Sequence, residues 1–355
     1  MARHFLRLMF GTVSVVWLMP ASPARAATCT PTGFFRDGIE MTAALINPTT
    51  VPSPLDATGC NIGVYYNTGV ANLNQVDIYG ANYFGVLVNG DDNPVVVRLT
   101  NNLIHNIGET PYNGTQHGNA IYIRAFFASA VTGEVTGNLI FGYQKGGIVV
   151  NGPGARLARL DGNQVFGLGH VSFIAQNGIQ IGYGARSAEV VGNVVSGNSY
   201  IGFPGDGSAS AGILVVGGPG YGVCPDGNDC PYTTSVPMVG NVVVNNDVGV
   251  FASNLQADFS APPAPTTLVI ARNLAGDDQC FNQSYQAGIS DQGNTDFILF
   301  NYIVQGGGYG PTCGPNIDTT GSTNPIVVGN VPAEGLTSTT MRASIPKLRV
   351  APERP

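Results

Sequence analysis

The chain has 355 residues, 49 of them glycine, only 10% charged residues and a formal net charge of −7. Such a chain is too apolar and too weakly charged to be a charged disordered polymer, and its acidity argues against nucleic acid held by phosphate neutralisation. Almost no stretch keeps a 3.6-residue apolar period without Gly or Pro interrupting it, which excludes helical repeats.

Residues 1–26 read as a signal peptide. Arg3 and Arg7 flank a basic start, Met9 to Met19 is largely apolar, and Ala24-Arg25-Ala26 is a small-residue cleavage site. The apolar run is too short for a membrane span of roughly 20 residues, and no later segment is long enough. We expect a secreted chain, extracellular or periplasmic, beginning at Ala27. Losing Arg3, Arg7 and Arg25 takes the net charge from −7 to about −10. The six cysteines suit that oxidising compartment. Six cysteines allow about 15 pairings. Proximity in sequence favours Cys29 with Cys60, Cys224 with Cys230 and Cys280 with Cys313.

After a segment at 27–75, expected to cap the solenoid's open end, self-similarity takes over from 76 to 330. A short apolar strand leads into Gly-Asn or a similar pair and then a second apolar pair, as in Val97 to Ile104 and Glu134 to Ile140. The element returns around Asn163, Asn193, Asn241, Asn273, Asn301 and Asn330, roughly every 25 to 30 residues apart from insertions. That period suits one β-helix coil better than a propeller blade of about 40 to 45 residues. Repeated asparagines at one turn predict an amide ladder between coils about 4.8 Å apart, a structural role. A second element is a Gly-aliphatic strand: Ala120-Ile121-Tyr122-Ile123, Gly147-Ile148-Val149-Val150, Gly178-Ile179-Gln180-Ile181 and later copies. Its period of two turns Ile and Val inward and the residue between them outward. Residues 331–355, rich in Pro, Ser, Thr and Arg, read as a tail.

Val76 to Asn330 resembles the right-handed parallel β-helix repeat family, the pectate-lyase-like superfamily; Ile174 to Gln180 is similar to a segment common in secreted bacterial β-helix proteins. The resemblance implies an all-β, right-handed parallel β-helix with ligands lying along one sheet, here the Gly-Ile strands. Outward positions on three neighbouring coils then gather the polar and cationic groups. The first offers His117, Tyr122 and Arg124; the second Tyr143, Gln144, Lys145 and Asn151; the third Gln176, Asn177, Gln180 and Tyr183. They span roughly 10 Å, enough for two or three sugar units. Only two lysines follow residue 26, and Lys145 is the one outside the tail.

The resemblance favours a polysaccharide or oligosaccharide partner and a lyase acting by β-elimination on a uronate polymer. Arg124 or a bound Ca²⁺ would neutralise the carboxylate, and Lys145, with cationic neighbours, or Tyr143 would take the proton; His117 completes the catalytic set. Tyr122, Asn151, Gln176, Asn177, Gln180 and Tyr183 would bind substrate. A glycoside hydrolase needs facing carboxylates, for which Asp206 and Asp247 are the candidates, although the family hydrolases' three-aspartate cluster is absent. A non-catalytic carbohydrate-binding or surface-structural β-helix is the reading from another class. The sequence points to no assured metal site, and we expect a monomer. If Lys145 lies exposed in the groove beside Gln176, Lys145→Ala should spare the melting temperature.

Overall fold

The computed structural model describes residues 27–333 except 128, 204–205, 305–306 and 311–312. The expected signal peptide and all of the expected tail after Ala333 lie outside the described residues.

The two sequence elements supply the repeated strands of a solenoid. Phe84–Asn89, Val95–Thr100 and Leu103–Ile107 make one coil, and Asn119–Arg124, Val131–Thr136 and Leu139–Tyr143 the next. Each strand pairs in parallel with its counterparts one coil away. Three long sheets of 11, 10 and 10 strands result. Sheet A holds the Gly-aliphatic strands, sheet C the strands leading to each asparagine, and sheet B those following it.

Period-two alternation holds as expected. Ile121, Ile148, Ile179 and Ile213 stand in register and are fully buried in the interior. Each contributes about 1.5–3 kcal/mol by leaving water, but only when the next coil covers it.

At the corner between sheets C and B the asparagines form a continuous ladder. The Asn138 backbone N–H and Nδ2 donate to Asn163 Oδ1 at 3.0 and 2.9 Å, and Asn163 repeats both bonds to Asn193 at 3.0 Å. The same pair of bonds joins Asn102 to Asn138 at one end and Asn301 to Asn330 at the other. The residue before each rung takes a positive φ, 64° at Gly162 and 65° at Gly192, which explains the Gly-Asn pairs. Asn163→Ala would strip the acceptor from both Asn138 donors and the 3.0 Å bond from Asn163 Nδ2 to Val135 O. Unpaired buried groups put the expected loss at about 3 kcal/mol, to be read by denaturant unfolding; an unchanged midpoint would strip the ladder of its structural role.

The N-terminal segment is more than a cap, because coil stacking begins before residue 76. Ile62–Tyr66 already pairs with Phe84–Asn89, and Gly69–Asn74 with Val95–Thr100. The cap proper is an antiparallel hairpin of Thr30–Arg36 with Ile39–Ile46, tied at its base by Cys29–Cys60. This hairpin also reaches the outer face of sheet A. Phe34 packs 6.3 Å from Tyr65, and the Arg36 guanidinium lies 6.0 Å from the Tyr122 ring centre. Phe34, Met41, Tyr65, Leu87 and Tyr122 belong to a second, smaller apolar core outside the solenoid interior. At the other end, the expected tail contributes a strand, Val331–Ala333, paired with Tyr302–Val304. The remaining disulfides are Cys224–Cys230 and Cys280–Cys313, the pairings that proximity favoured.

Candidate functional site

On sheet A the register sets Tyr122, Val149 and Gln180 side by side, with Arg124 beside Asn151 and Gly146 beside Asn177. Five of the expected residues, Tyr122, Arg124, Asn151, Asn177 and Gln180, therefore share this face. Their amides form a relay across three coils. Asn177 Nδ2 donates to Gln180 Oε1 at 3.1 Å, Gln180 Nε2 to Asn151 Oδ1 at 3.1 Å, and Asn151 Nδ2 to the Tyr122 hydroxyl at 3.4 Å. A narrow depression lies over the relay, bounded by Asn119, Lys145, Asn151, Asn177 and Gln180 around Gly146 and Val149. Asn119 was missed from sequence, though it opens Asn119-Ala120-Ile121 as Asn177 opens Asn177-Gly178-Ile179.

Lys145 and Gln176 occupy adjacent coils, with the Asn177 N–H donating to the Lys145 carbonyl at 3.4 Å, but their side chains part. Lys145 Nζ donates to Gln116 Oε1 at 2.7 Å, whereas Gln176 Nε2 donates to the Tyr143 carbonyl at 3.2 Å. Gln176 is fully buried and serves the corner between sheets B and A rather than a groove. Lys145 is itself only 3% exposed, so Lys145→Ala should lower the melting temperature, unlike the substitution of an exposed side chain.

The other expected catalytic residues are engaged by the chain itself. Tyr143 lies inside the solenoid, donating to Asn198 Oδ1 at 2.6 Å, and burial holds its hydroxyl far above the ordinary phenol range. Arg124 pairs at 2.6 Å with Asp91 and lies 5.0 and 5.3 Å from the rings of Phe34 and Phe126. Its charge is neutralised and covered before a uronate could use it. His117 contacts Glu109 at 2.8 Å and stacks on Tyr83 with ring centres 3.6 Å apart. Gln144 fastens the 107–117 loop, its Oε1 accepting from the Glu109 and Asn113 backbones at 3.1 and 3.2 Å. Tyr183, just past its strand at φ 55°, is buried with Phe126, Val216 and the Cys224–Cys230 bridge.

The alternative acids meet at one group of loops. Asn282 Nδ2 donates to Asp247 at 2.9 Å, and Ser284 Oγ donates to Asp206 at 2.9 Å. Asp247 is fully buried and accepts from Ser199 Oγ, the Tyr200 and Ser210 backbones and Asn282 at 2.7–3.0 Å. Burial pushes its carboxyl up to about 6, against the pull of those four donors. Asp206 is exposed, and accepts from the Phe203 and Ser208 backbones at 3.1 and 2.8 Å. Both behave as organisers of loops. In the Cys224–Cys230 loop Asp226 accepts from the Asn228 backbone and side chain at 3.2 and 3.0 Å. Among the described residues no group of three or more His, Cys, Asp or Glu side chains is placed to hold a metal.

Short strands stacked in three parallel sheets around an apolar interior define a parallel β-helix. No family model, curated protein or solved structure matches the chain. The three disulfides suit an oxidising compartment, and among the described residues no helix is long and apolar enough to cross a membrane.

Proposed function

We propose that this chain is a non-catalytic carbohydrate-binding β-helix that meets an acidic polysaccharide or oligosaccharide at the Lys145–Gln180 depression. One observation carries the choice of binder over enzyme: the groups a lyase or hydrolase would need are already consumed by the chain's own bonds. Arg124 is paired with Asp91, His117 with Glu109, Tyr143 with Asn198, and Asp247 with four donors. Amides both donate and accept, as sugar hydroxyls require, and one ammonium beside them suits a carboxylate substituent. The depression is too narrow to admit a water molecule and its polar lining is at most 6% exposed, so a sugar unit would lie across its mouth and reach the amides only as their side chains part. Likeness of the repeat to the pectate-lyase-like superfamily supports carbohydrate as the ligand class.

The test is a panel of acidic and neutral polysaccharides, followed by binding, by absorbance of unsaturated products and by reducing ends. Binding without either product is expected. Gln180→Ala should weaken it about tenfold, the effect of one lost hydrogen bond to a charged or polar ligand. A gain in absorbance would instead establish β-elimination, with Lys145 the remaining candidate base, and reducing ends alone would establish hydrolysis.

A further inference from the structure

The inward column of sheet A that runs through Ile123, Val150, Ile181, Val215 and Ala252 ends on an acid, Asp291. Five residues later, Asp296 precedes the Phe297–Leu299 strand of sheet C and is also fully buried. Each carboxylate has one oxygen accounted for. Asp291 Oδ1 accepts from the Gly293 N–H at 3.0 Å, and Asp296 Oδ1 accepts from Thr266 Oγ1 at 2.6 Å and the Leu268 N–H at 2.7 Å. The remaining oxygens, Asp291 Oδ2 and Asp296 Oδ2, are buried with no hydrogen bond of normal geometry, and the Ser322 hydroxyl lies beside Asp291. The two carboxylates meet at Gly293, whose N–H holds Asp291 Oδ1 and whose Cα is crowded by Asp296 Oδ2, 1.9 Å from where a Cβ would stand. Two buried carboxylates brought this close cannot both stay ionised.

We propose that Asp291 and Asp296 share a single buried proton, and that losing it at alkaline pH loosens the C-terminal coils of the solenoid. A buried unpaired carboxylate costs several kcal/mol, and two facing ones add repulsion in a medium that screens poorly. A divalent cation in place of the proton would find too few oxygens, since calcium takes six to eight ligands. Among the described residues no lysine or arginine pairs with either acid. On the neighbouring elements the titratable groups are Asp318, Tyr285 and Arg272. Asp318 and Tyr285 are bonded to each other at 2.6 Å beside Ser290, the outward neighbour of Asp291. Arg272 sits at the corner after Val269–Ala271.

The pair also stands where an opening would matter. Asp296 accepts the Leu268 N–H from the preceding coil through its side chain and the Ile326 N–H from the following coil through its carbonyl at 2.8 Å. Burial and the charge of Asp291 both hold the Asp296 proton on well above the usual carboxylate range. The sign follows: with the folded pKa raised, the stabilisation is complete in acid, below the unfolded value, and is lost as pH climbs through the folded one.

The experiment is hydrogen exchange on the full chain at pH 6 and pH 9, expressed as protection factors to remove the intrinsic pH effect. Protection at Leu268, Phe297 and Ile326 should fall about tenfold or more, while that at Ile148 in a central coil holds. Asp291→Asn with Asp296→Asn together should abolish the difference, leaving Asp247 and Asp277, at another corner, as unchanged background. Should that variant not fold, carboxyl ¹³C titration of the wild-type protein gives the answer: Asp291 and Asp296, once assigned, must titrate as a coupled pair with the second step above the usual carboxylate range. Loss spread evenly over all coils, equal loss in the double variant, or the absence of a coupled carboxyl pair would each overturn the proposal.

Discussion

Asp247→Ala is expected to lower the melting temperature by about 10 °C. The carboxylate ties together the two ends of one connection and a second loop: Ser199 and Tyr200 at the end of the Val194–Tyr200 strand, Ser210 just before the next sheet A strand, and Asn282 in the loop after Cys280. His170 joins through Ser199, its Nδ1 2.7 Å from the hydroxyl. Alanine leaves two buried backbone N–H groups and the Asn282 amide without an acceptor, a loss of about 3–5 kcal/mol. At about 2–4 °C per kcal/mol for a domain of this size the shift is large. Its pH dependence has a definite sign. Because burial raises the Asp247 carboxyl to about 6, wild-type stability from this group is greatest below the unfolded value near 4 and is lost as pH passes through 6. The gap between wild type and variant should therefore narrow from pH 4 to pH 7. A gap that widens over that range would mean that the four donors outweigh desolvation. A variant melting with wild type would mean that the loops are held elsewhere.

How far the sequence revealed this molecule depended on whether a property repeats. The asparagine ladder and the Gly-aliphatic strands recur in most coils, so each copy corroborates the next, and the inward phase of Ile121, Ile148 and Ile179 followed from a period of two. The disulfides were legible because each closes a short stretch of chain. The site residues belong to single coils and lacked that redundancy. Tyr143 and Gln176 sit at the corner between sheets B and A, where the alternation breaks and an outward assignment has no basis. Arg124 lies on the expected face, but its partner Asp91 comes from the loop of the preceding coil and Phe34 from the terminal hairpin, neither signalled by local pattern. The Asp291–Asp296 pair escaped notice because one acid among inward aliphatics is indistinguishable in sequence from an outward one next to it. Asn119 needed only the register already in hand.

The glycine column of sheet A yields the other large effect, because it sets how closely coils approach. A Cβ on Gly178 would stand 2.8 Å from the Gly212 carbonyl oxygen one coil on, 2.1 Å from Val195 Cγ1 across the interior and 3.0 Å from Asn198 Nδ2. Gly147 and Gly212 meet the next coil's carbonyl in the same way, at 2.5 and 2.8 Å, so the contact belongs to the repeat and not to one site. Neither a carbonyl held in a sheet ladder nor a valine in a close-packed interior can retreat freely. Gly178→Ala should thus cost about 3 kcal/mol, at the upper end for adding one methyl to a core, despite alanine's lower backbone entropy cost. Ala120 occupies the same column, as the Gly85 contact with its carbonyl shows, which makes the opposing interior side chain the discriminating element. Val195→Ala in the Gly178→Ala background should accordingly recover part of the loss, although Val195→Ala alone is destabilising through its cavity. Denaturant unfolding of the two single variants and the double gives the coupling directly. Strict additivity would locate the damage at the Gly212 carbonyl, and a Gly178→Ala protein as stable as wild type would mean that neighbouring coils can spread apart at little cost.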